Sequence, residues 1–183
     1  FDALESNDKN PDISVTIIRG SGKAFSAGYD LTKDLDELDP YYTAGGLGHW
    51  PRHVVEGCFK IWDLAKPVIA QVHGYCLAGG TELAQSCDLI YVADDAAIGY
   101  PVVRNISPPD NQFYPWIVGM RKSMELMLTG NSMSGKEAVD CGFAASDRDV
   151  FHSVSDHTDW SRHDQFAYRR HPTPYYAADP DYH

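Results

Sequence analysis

One stretch of the sequence places residues that could do chemistry at the start of a short helix. The apolar run Val68–Val72 predicts a buried strand, and a loop and Ala78-Gly79-Gly80 follow it before Glu82. A strand that breaks at glycines and opens a helix leaves backbone N–H groups free to stabilise negative charge on an oxygen. Glu82 would be an acid or base beside that oxygen. The pattern indicates half of an oxyanion hole, although ordinary α/β connectivity with closely packed glycines gives the same sequence.

A second loop, upstream, has the small residues that close contact between a substrate and the backbone requires. Residues Ile13–Arg19 are β-branched and apolar and predict a strand, and the segment Ala24–Leu31 comes shortly after it. Small residues around Gly28 leave room for a ligand at the main chain. The intervening Gly20–Lys23 lacks the full GxxxxGK(S/T) pattern, so a phosphate-binding loop is not predicted.

The remaining elements alternate between strand and helix, which predicts an α/β domain. Helical spacing of apolar residues and a capping box at Ser134 and Glu137 mark the helices, and short apolar runs mark the strands. The further predicted elements are a helix over Arg52–Leu64, a strand over Leu89–Ala93, an extended piece over Ala96–Pro101, helical pieces over Gln112–Gly119 and Lys122–Thr129, and a helix from Ser134 to about Cys141.

Composition excludes several classes of function. The chain has 183 residues and a net charge of −11, which disfavours nucleic acid as a partner because phosphate binding needs a basic surface. The four cysteines form no CxxC pair, and three lie in apolar stretches, so we expect reduced thiols in a cytoplasmic protein. The sequence contains no apolar span long enough to predict a membrane segment. His49 and His53 have metal-ligand spacing, but Pro51 disrupts that helix and no third ligand is evident, so no metal site is predicted.

At three places the sequence resembles the crotonase, or enoyl-CoA hydratase/isomerase, superfamily. The segments GKAFSAGYDL (22–31) and HGYCLAGGTELAQSCDLIYVADDAAIGYP (73–101) are similar to the two signature regions of that family, and LTGNSMSGKEAVDCGF (128–143) resembles the region that follows them. The three motifs occur in order and at family-like spacing. The resemblance implies an α/β fold built as a spiral of ββα repeats, with a crotonase-like core over residues 1–143.

The resemblance also implies roles for individual residues. Members bind acyl-CoA thioesters, and the backbone N–H groups of Ala27 and Gly79 would hold the thioester oxygen as it becomes an enolate, with Glu82 as the acid/base. A carboxylate beside an apolar acyl tunnel can act as acid or base near neutral pH. No metal or cofactor is implied beyond the CoA of the substrate. The substrate-binding positions would be Ala24, Gly28, Tyr29, Asp30, Gly80, Val102 and Asp110.

One position departs from the family pattern. Hydratases of the family use two glutamates, and the second would stand directly after Pro101, where this chain has Val102. Valine cannot carry a proton, so three interpretations stay open. A single carboxylate could suffice for a double-bond shift; Asp110, Tyr29 or Tyr100 could supply the second proton; or the protein could bind acyl-CoA without turnover. Asp110 is also a plausible turn-capping residue after Pro109.

The two ends of the chain differ from the family pattern as well. The strand pair and helix start with which members begin are absent before Phe1, so we expect an N-terminally truncated spiral. Residues 144–183 contain seven Asp and five His but no Leu, Ile, Met, Gly or Lys, and they predict an atypical, disordered tail rather than the family's C-terminal helices. A changed reading frame near Ala144 or a truncated gene would explain that tail.

The sequence therefore predicts an acyl-CoA-processing enzyme of the hydratase/isomerase type, cytoplasmic, and a homotrimer or hexamer if something replaces the family's C-terminal helices. Isomerisation, thioester or C–C bond hydrolysis and dehydration are alternative reactions within the family. A non-catalytic acyl-CoA binder, or an inactive subunit of a larger assembly, is the alternative from another class.

Overall fold

The computed structural model of the protein describes residues 1–30, 49–105, 108–109, 113–146 and 167–169. Helices and short strands alternate along these ranges, as the sequence predicted. The helices are α1 (Asp2–Lys9), α2 (His49–Trp62), α3 (Gly79–Gln85), α4 (Tyr114–Thr129), α5 (Gly135–Asp140) and a 3₁₀ helix (Pro101–Arg104). The strands are β1 (Ile13–Arg19), β2 (Val68–Val72), β3 (Tyr75–Leu77), β4 (Leu89–Val92), β5 (Ala97–Gly99), β6 (Ser132–Ser134), β7 (Ala145–Ser146) and β8 (Ala167–Arg169).

The central sheet explains how the two predicted loops come together. Its five strands lie in the order β7-β4-β2-β1-β8, with β1, β2, β4 and β7 parallel. β1 pairs with β2 in the register Arg19 to Gln71, so both strands end at the same edge. Ligands of open α/β sheets bind outside the carboxyl ends of the strands. The loops after β1 and β2 both start from that edge.

The core lies mainly on one face of the middle strand. Val68, Ala70 and Val72 of β2 are almost completely buried, and because side chains alternate along a strand these three share one face, whereas Ile69 on the other face is only half-buried. A second sheet, in the order β3-β5-β6, stands beside it and carries the turn into α3. The core is therefore built around the strand that precedes the glycine-rich turn.

Two helices follow local rules that the sequence contained. α5 begins with the predicted capping box, in which the Glu137 carboxylate accepts hydrogen bonds from the Ser134 N–H and hydroxyl at 2.8 and 2.9 Å. α4 joins the two predicted helical pieces, and the junction is a kink at Gly119 with φ 75° and ψ 160°. Both predictions are confirmed.

The structure differs from the sequence predictions at several other places, since neither β3, where a loop was predicted, nor β6 was predicted. α2 begins at His49, so Pro51 lies in its first turn, where a backbone N–H has no intrahelical partner to lose; the prediction that Pro51 disrupts this helix was wrong. The C-terminal stretch contains two short strands that were not predicted. β7 pairs with β4, and β8 runs antiparallel along β1, so residues beyond the predicted core border 143 join both edges of the sheet.

Lys66 ties the N-terminal helix to the body of the protein, and Lys60 of α2 adds an ion pair with Glu5 at 3.7 Å. Lys66 Nζ donates to the carbonyl oxygens of Asn7 at 3.1 Å and Asn10 at 2.5 Å, and Lys66 N donates to Asp8 Oδ1 at 2.9 Å. The two carbonyls also accept backbone hydrogen bonds, from Asn10 N and Ile13 N at 3.2 Å each, so the lysine adds a second donor to each of them. These hydrogen bonds hold α1 so that Phe1 faces the cavity described below.

Within the described ranges, none of the helices combines the length and apolar character that crossing a lipid bilayer requires.

Candidate active site

The two loops lie side by side because they pair as short strands do. Ser26 N donates to Tyr75 O at 3.0 Å, and Leu77 N donates to Ser26 O at 2.9 Å, which forms a parallel bridge between Ser26 and Cys76. The Ser26 hydroxyl also accepts a hydrogen bond from Gly28 N at 3.2 Å and shapes the turn that follows. The segment from Ser26 to Gly28 is therefore fixed against β3 and the turn into α3.

This pairing brings the backbone of Gly28 next to the amide of Gly79. Gly28 has φ +103°, and a Cβ built there would lie 3.1 Å from Gly79 N and 2.9 Å from Ala78 Cβ. Only glycine fits this position without strain and without a clash. Among the described backbone hydrogen bonds outside helices and strands, none uses the N–H of Ala27 or of Gly79 as its donor.

The turn into α3 stores backbone strain at the same place. Ala78, the N-cap of α3, has φ 51° and ψ −124°, the one non-glycine residue with positive φ among those the structure describes. A conformation of this kind costs about 1–3 kcal/mol and persists where the surroundings over-determine it. Here Ala78 N donates to Gly99 O at 3.0 Å, and Ala78 O accepts from Thr81 N at 2.9 Å. The strained residue directs the chain so that α3 begins at Gly79.

Thr81 fixes α3 on its inner side. Its hydroxyl is fully buried and lies 2.6 Å from Cys76 O and 2.8 Å from Gly99 O, bridging β3 and β5. The next residue, Glu82, is 1% exposed. The helix thus holds a carboxylate inside the protein, one turn after the glycine pair.

Glu82 opens into a largely apolar cavity of about 390 Å³. It is the one charged side chain among the described residues that line this cavity. Cavities of a few hundred cubic ångströms with few polar groups are typical of small-molecule sites. The lining residues are Phe1, Ser26, Gly28, Tyr29, Val54, Gly57, Cys58, Ile61, Gly79, Glu82, Leu83 and Ser86.

The ring of Tyr29 covers Gly79 on one side of this cavity. A Cβ built on Gly79 would lie 2.5, 2.7 and 3.2 Å from the Cε2, Cδ2 and Cζ atoms of Tyr29. Gly79 must therefore lack a side chain for the aromatic ring to stay where it is. The next residue, Gly80, meets the first loop in the same way, since a Cβ there would lie 2.5 Å from Ser26 O.

Not every predicted site residue reaches the cavity. Gly28, Tyr29, Gly79 and Glu82 line it, and Ala27 lies between two residues that do. Among the described residues, the other predicted positions do not line the cavity. Ala24 precedes the paired segment, Asp30 is exposed, and Gly80 packs on Ser26. Val102 is half-buried in the 3₁₀ helix, and Asp110 lies outside the described residues.

Sequence reasoning missed one wall of the cavity that contains Glu82. Val54, Gly57, Cys58 and Ile61 of α2 form that wall. Their spacing is that of one helix face, and the sequence predicted the helix but not which of its apolar residues are buried, since Phe59 and Trp62 of the same helix are 45% and 50% exposed. Ser26 was also missed, although a serine two residues before a glycine is a signal for the turn it makes.

None of the four cysteines, all of which lie in the described ranges, forms a disulfide, and three of them are buried. Burial raises the pKa of the Cys76 thiol to about 12, with a hydrogen bond to Thr81 acting in the opposite direction. Cys58 is the one that lines the cavity, with 5% of its surface exposed. Across the described ranges no group of three or more His, Cys, Asp or Glu residues is placed to hold a metal ion.

A second cavity of about 390 Å³ lies elsewhere and contains none of the predicted site residues. It is bordered by an aromatic cluster in which Trp62 stacks on Phe113 with ring centroids 4.8 Å apart. Its lining residues are Trp62, Gln85, Cys87, Asp88, Leu89, Ile90, Phe113, Trp116, Ile117, Gly142, Phe143, Ala144 and Ala145. The motif residues therefore converge on the first cavity and not on this one.

Solved structures with this architecture are crotonase-fold enzymes. An enoyl-CoA hydratase from Mycobacterium smegmatis matches with a TM-score of 0.70 and 28% identity over 84% of this chain and 58% of that chain. An enoyl-CoA hydratase/isomerase from Xanthobacter autotrophicus matches with a TM-score of 0.70 and 30% identity over 83% of this chain and 57% of that one. The protein has the crotonase fold.

The family model for enoyl-CoA hydratase/isomerase matches residues 1–153, and the chain belongs to that family. A peroxisomal Δ(3,5)-Δ(2,4)-dienoyl-CoA isomerase of Arabidopsis thaliana is 36% identical over 84% of this chain and 58% of its own length. A probable enoyl-CoA hydratase of Mycobacterium bovis is 37% identical over 75% of this chain and 52% of its own length. The chain spans a little over half the length of these relatives.

Proposed function

We propose that this protein binds acyl-CoA thioesters and catalyses proton transfer beside the thioester carbonyl, as an enoyl-CoA hydratase or isomerase. The observation that carries the proposal is the convergence of three features in one apolar cavity: the Gly28 loop, the Gly79 amide and the buried carboxylate of Glu82. Family membership supports the substrate class.

In this proposal the N–H groups of Ala27 and Gly79 donate to the thioester oxygen. Reaction at the α or β carbon moves electrons onto that oxygen, and donors placed in advance stabilise the resulting enolate without rearrangement. The pairing of Ser26 with β3 and the turn at Ala78 support this assignment, because they fix both segments before any ligand arrives. One such donor typically contributes about 2.7–4 kcal/mol to the transition state.

Glu82 acts as the acid/base in this proposal. Its place in the fourth position of α3, inside an apolar cavity, puts a carboxylate where an acyl chain would lie. Hydration requires Glu82 to take a proton from water as the water oxygen bonds to the β carbon. Isomerisation requires it to move a proton between two carbons of the chain, which one carboxylate can do alone.

A second candidate function is binding of acyl-CoA without turnover. Val102 favours this function, because it stands where family hydratases carry the second glutamate. Its side chain has no ionisable group, and it does not line the cavity. The two functions differ in what they predict for Glu82, since binding alone does not need its proton.

The test is turnover of a short 2-enoyl-CoA and a 3-enoyl-CoA by the parent chain and by Glu82→Gln, with products identified for each substrate. Glu125→Gln is a matched control, because Glu125 is an exposed residue of α4 that pairs with Lys122. We expect Glu82→Gln to lower kcat by about 10²–10⁴-fold, the usual contribution of an acid/base group, and the control to leave it unchanged.

Thermal stabilisation by a CoA thioester, measured together with turnover, distinguishes the enzymatic function from binding without turnover. If the folded parent chain is stabilised by the thioester but turns over neither substrate, and Glu82→Gln is stabilised equally, the enzymatic proposal is wrong and the binding function stands. If no CoA thioester stabilises the chain and none is turned over, both are wrong.

Three further sequence predictions remain predictions. A homotrimer or hexamer is supported by exposed apolar side chains on α4, since Trp116 and Leu128 are 88% and 74% exposed, and large exposed apolar patches commonly mark protein contacts. The absence of a cofactor beyond the CoA of the substrate and a cytoplasmic location are the other two.

A further inference from the structure

The proposed reaction leaves one role open if water is added across the double bond. Glu82 can take a proton from water, but a second group must deliver a proton to the α carbon. Val102 cannot do so. The sequence left Asp110, Tyr29 and Tyr100 as alternatives, and Asp110 lies outside the described residues.

The structure separates the two tyrosines. Tyr100 is 3% exposed and does not line the cavity that contains Glu82. Tyr29 lines that cavity together with Glu82 and Gly79. Of the two, only Tyr29 borders the space in which a substrate would contact both the carboxylate and the glycine amide.

The position of the Tyr29 ring is set by Gly79. Its Cζ atom, which bears the hydroxyl, lies 3.2 Å from where a Cβ of Gly79 would be. The ring edge of Tyr29 from Cδ2 to Cζ therefore packs on Gly79, whose amide would hold the thioester oxygen. Gly28, the neighbour of Tyr29, makes the second contact between the same two segments. The ring of Tyr29 and the Gly79 amide thus border the same cavity as Glu82.

The exposure of Tyr29 suits a group that must lose and regain a proton. Its side chain borders the cavity while 38% of the residue remains exposed, so solvent can reach it. A phenol titrates near 10 in model peptides and is a far stronger acid than the carbon it would protonate, so transfer to an enolate is downhill.

We propose that Tyr29 is the second proton-transfer residue of this site, in the role that a carboxylate at position 102 would otherwise have; the inference rests on the proposed hydratase function. Glu82 removes a proton from water as the water oxygen bonds to the β carbon, and the π electrons form the enolate. The enolate re-forms the C=O bond as the α carbon takes the phenolic proton of Tyr29. The proton on Glu82 returns to the phenolate through water, so the net change is addition of one water.

The experiment compares Tyr29→Phe with the parent chain in hydration of a short 2-enoyl-CoA. Phenylalanine keeps the ring against Gly79 and removes only the hydroxyl. We expect kcat to fall by about 10²-fold or more, the lower end of the usual contribution of an acid/base group, while KM stays within about twofold. Tyr29→Ala removes the ring as well, so KM should rise in addition.

Tyr75→Phe is the matched control, because Tyr75 is an exposed tyrosine of β3 that lines neither cavity. Circular dichroism and thermal melting establish that each variant is folded. If the parent chain hydrates the substrate and Tyr29→Phe keeps its kcat within about threefold of the parent value, the role of Tyr29 is wrong while the proposed function stands. If the folded parent chain does not hydrate the substrate, the hydratase function fails and the role of Tyr29 fails with it.

Discussion

Replacing Gly80 by alanine tests whether the contact between the two loops sets the rate. Gly80 lies in the first turn of α3, and a Cβ there would be 2.5 Å from Ser26 O and 2.7 Å from Ser26 Cβ. Ordinary contacts of a Cβ begin near 3.4 Å. The nearest atom belongs to the backbone, so a side-chain rotation cannot relieve the clash, and the loop and the helix must separate by about 0.9 Å.

The separation acts on the proposed amide pair. Ser26 O accepts the hydrogen bond from Leu77 N, and Ala27 follows directly, so moving Ser26 moves the Ala27 amide away from Gly79. A displacement of about 1 Å in a catalytic arrangement can cost about 10²-fold in rate, and loss of one oxyanion donor costs about 10²–10³-fold. We therefore expect kcat for a 2-enoyl-CoA to fall by about 10²-fold in Gly80→Ala.

The loss in stability should be smaller than the loss in transition-state stabilisation, which for a 10²-fold fall in kcat is about 2.7 kcal/mol. Alanine in place of glycine within a helix stabilises by about 1 kcal/mol, whereas overpacking costs about 1–3 kcal/mol, which leaves a net loss of up to about 2 kcal/mol in the free energy of unfolding. Urea denaturation measures this change. The kinetic assay follows the ultraviolet absorbance of the conjugated enoyl thioester at saturating substrate.

Gly22→Ala is the matched control on the same upstream loop. A Cβ at Gly22 would have no atom within 4 Å, so we expect parent values for both rate and stability. The reasoning is refuted if folded Gly80→Ala retains the parent kcat, because the clash would then leave the amide pair intact. A similar fall in kcat for Gly22→Ala would show that the loss is unrelated to the contact with Ser26.

Two further predictions concern groups away from the reacting atoms. Burial raises the pKa of Cys76 to about 12, so the thiol ionises more readily in the unfolded chain and the free energy of unfolding should fall as pH rises from about 9 towards 12. Urea unfolding at a series of pH values measures this slope, and Cys76→Ala should remove about 1.4 kcal/mol per pH unit from it. An unchanged slope in the variant would contradict the assignment. Ser134→Ala removes the N-cap of α5 and should lower the free energy of unfolding by about 0.5–2 kcal/mol. The hydrogen bonds from Ser134 also keep the pKa of Glu137 below its usual range, so that pKa should rise in the variant when it is measured by NMR titration. No change in either quantity would show that the cap is not formed in solution.

The sequence by itself determined the family, most of the alternation of strands and helices and the glycine-rich turn before Glu82. These follow from local signals: β-branched runs, helical spacing, a capping box and three motifs in order. The capping box at Ser134 and the break in α4 at Gly119 are confirmed because both depend on residues only a few positions apart.

The tertiary structure decided which segments share the cavity. The loop with Gly28 and the turn with Gly79 are far apart in sequence and meet because β1 and β2 are parallel and end at one edge. Helical spacing predicted α2 but could not show which of its residues line the cavity that contains Glu82. The sequence likewise could not show that Tyr29 borders the cavity whereas Tyr100 is buried in the core. Periodicity gives the buried side of an element, whereas the partner of that side is fixed only when strands pair and helices pack.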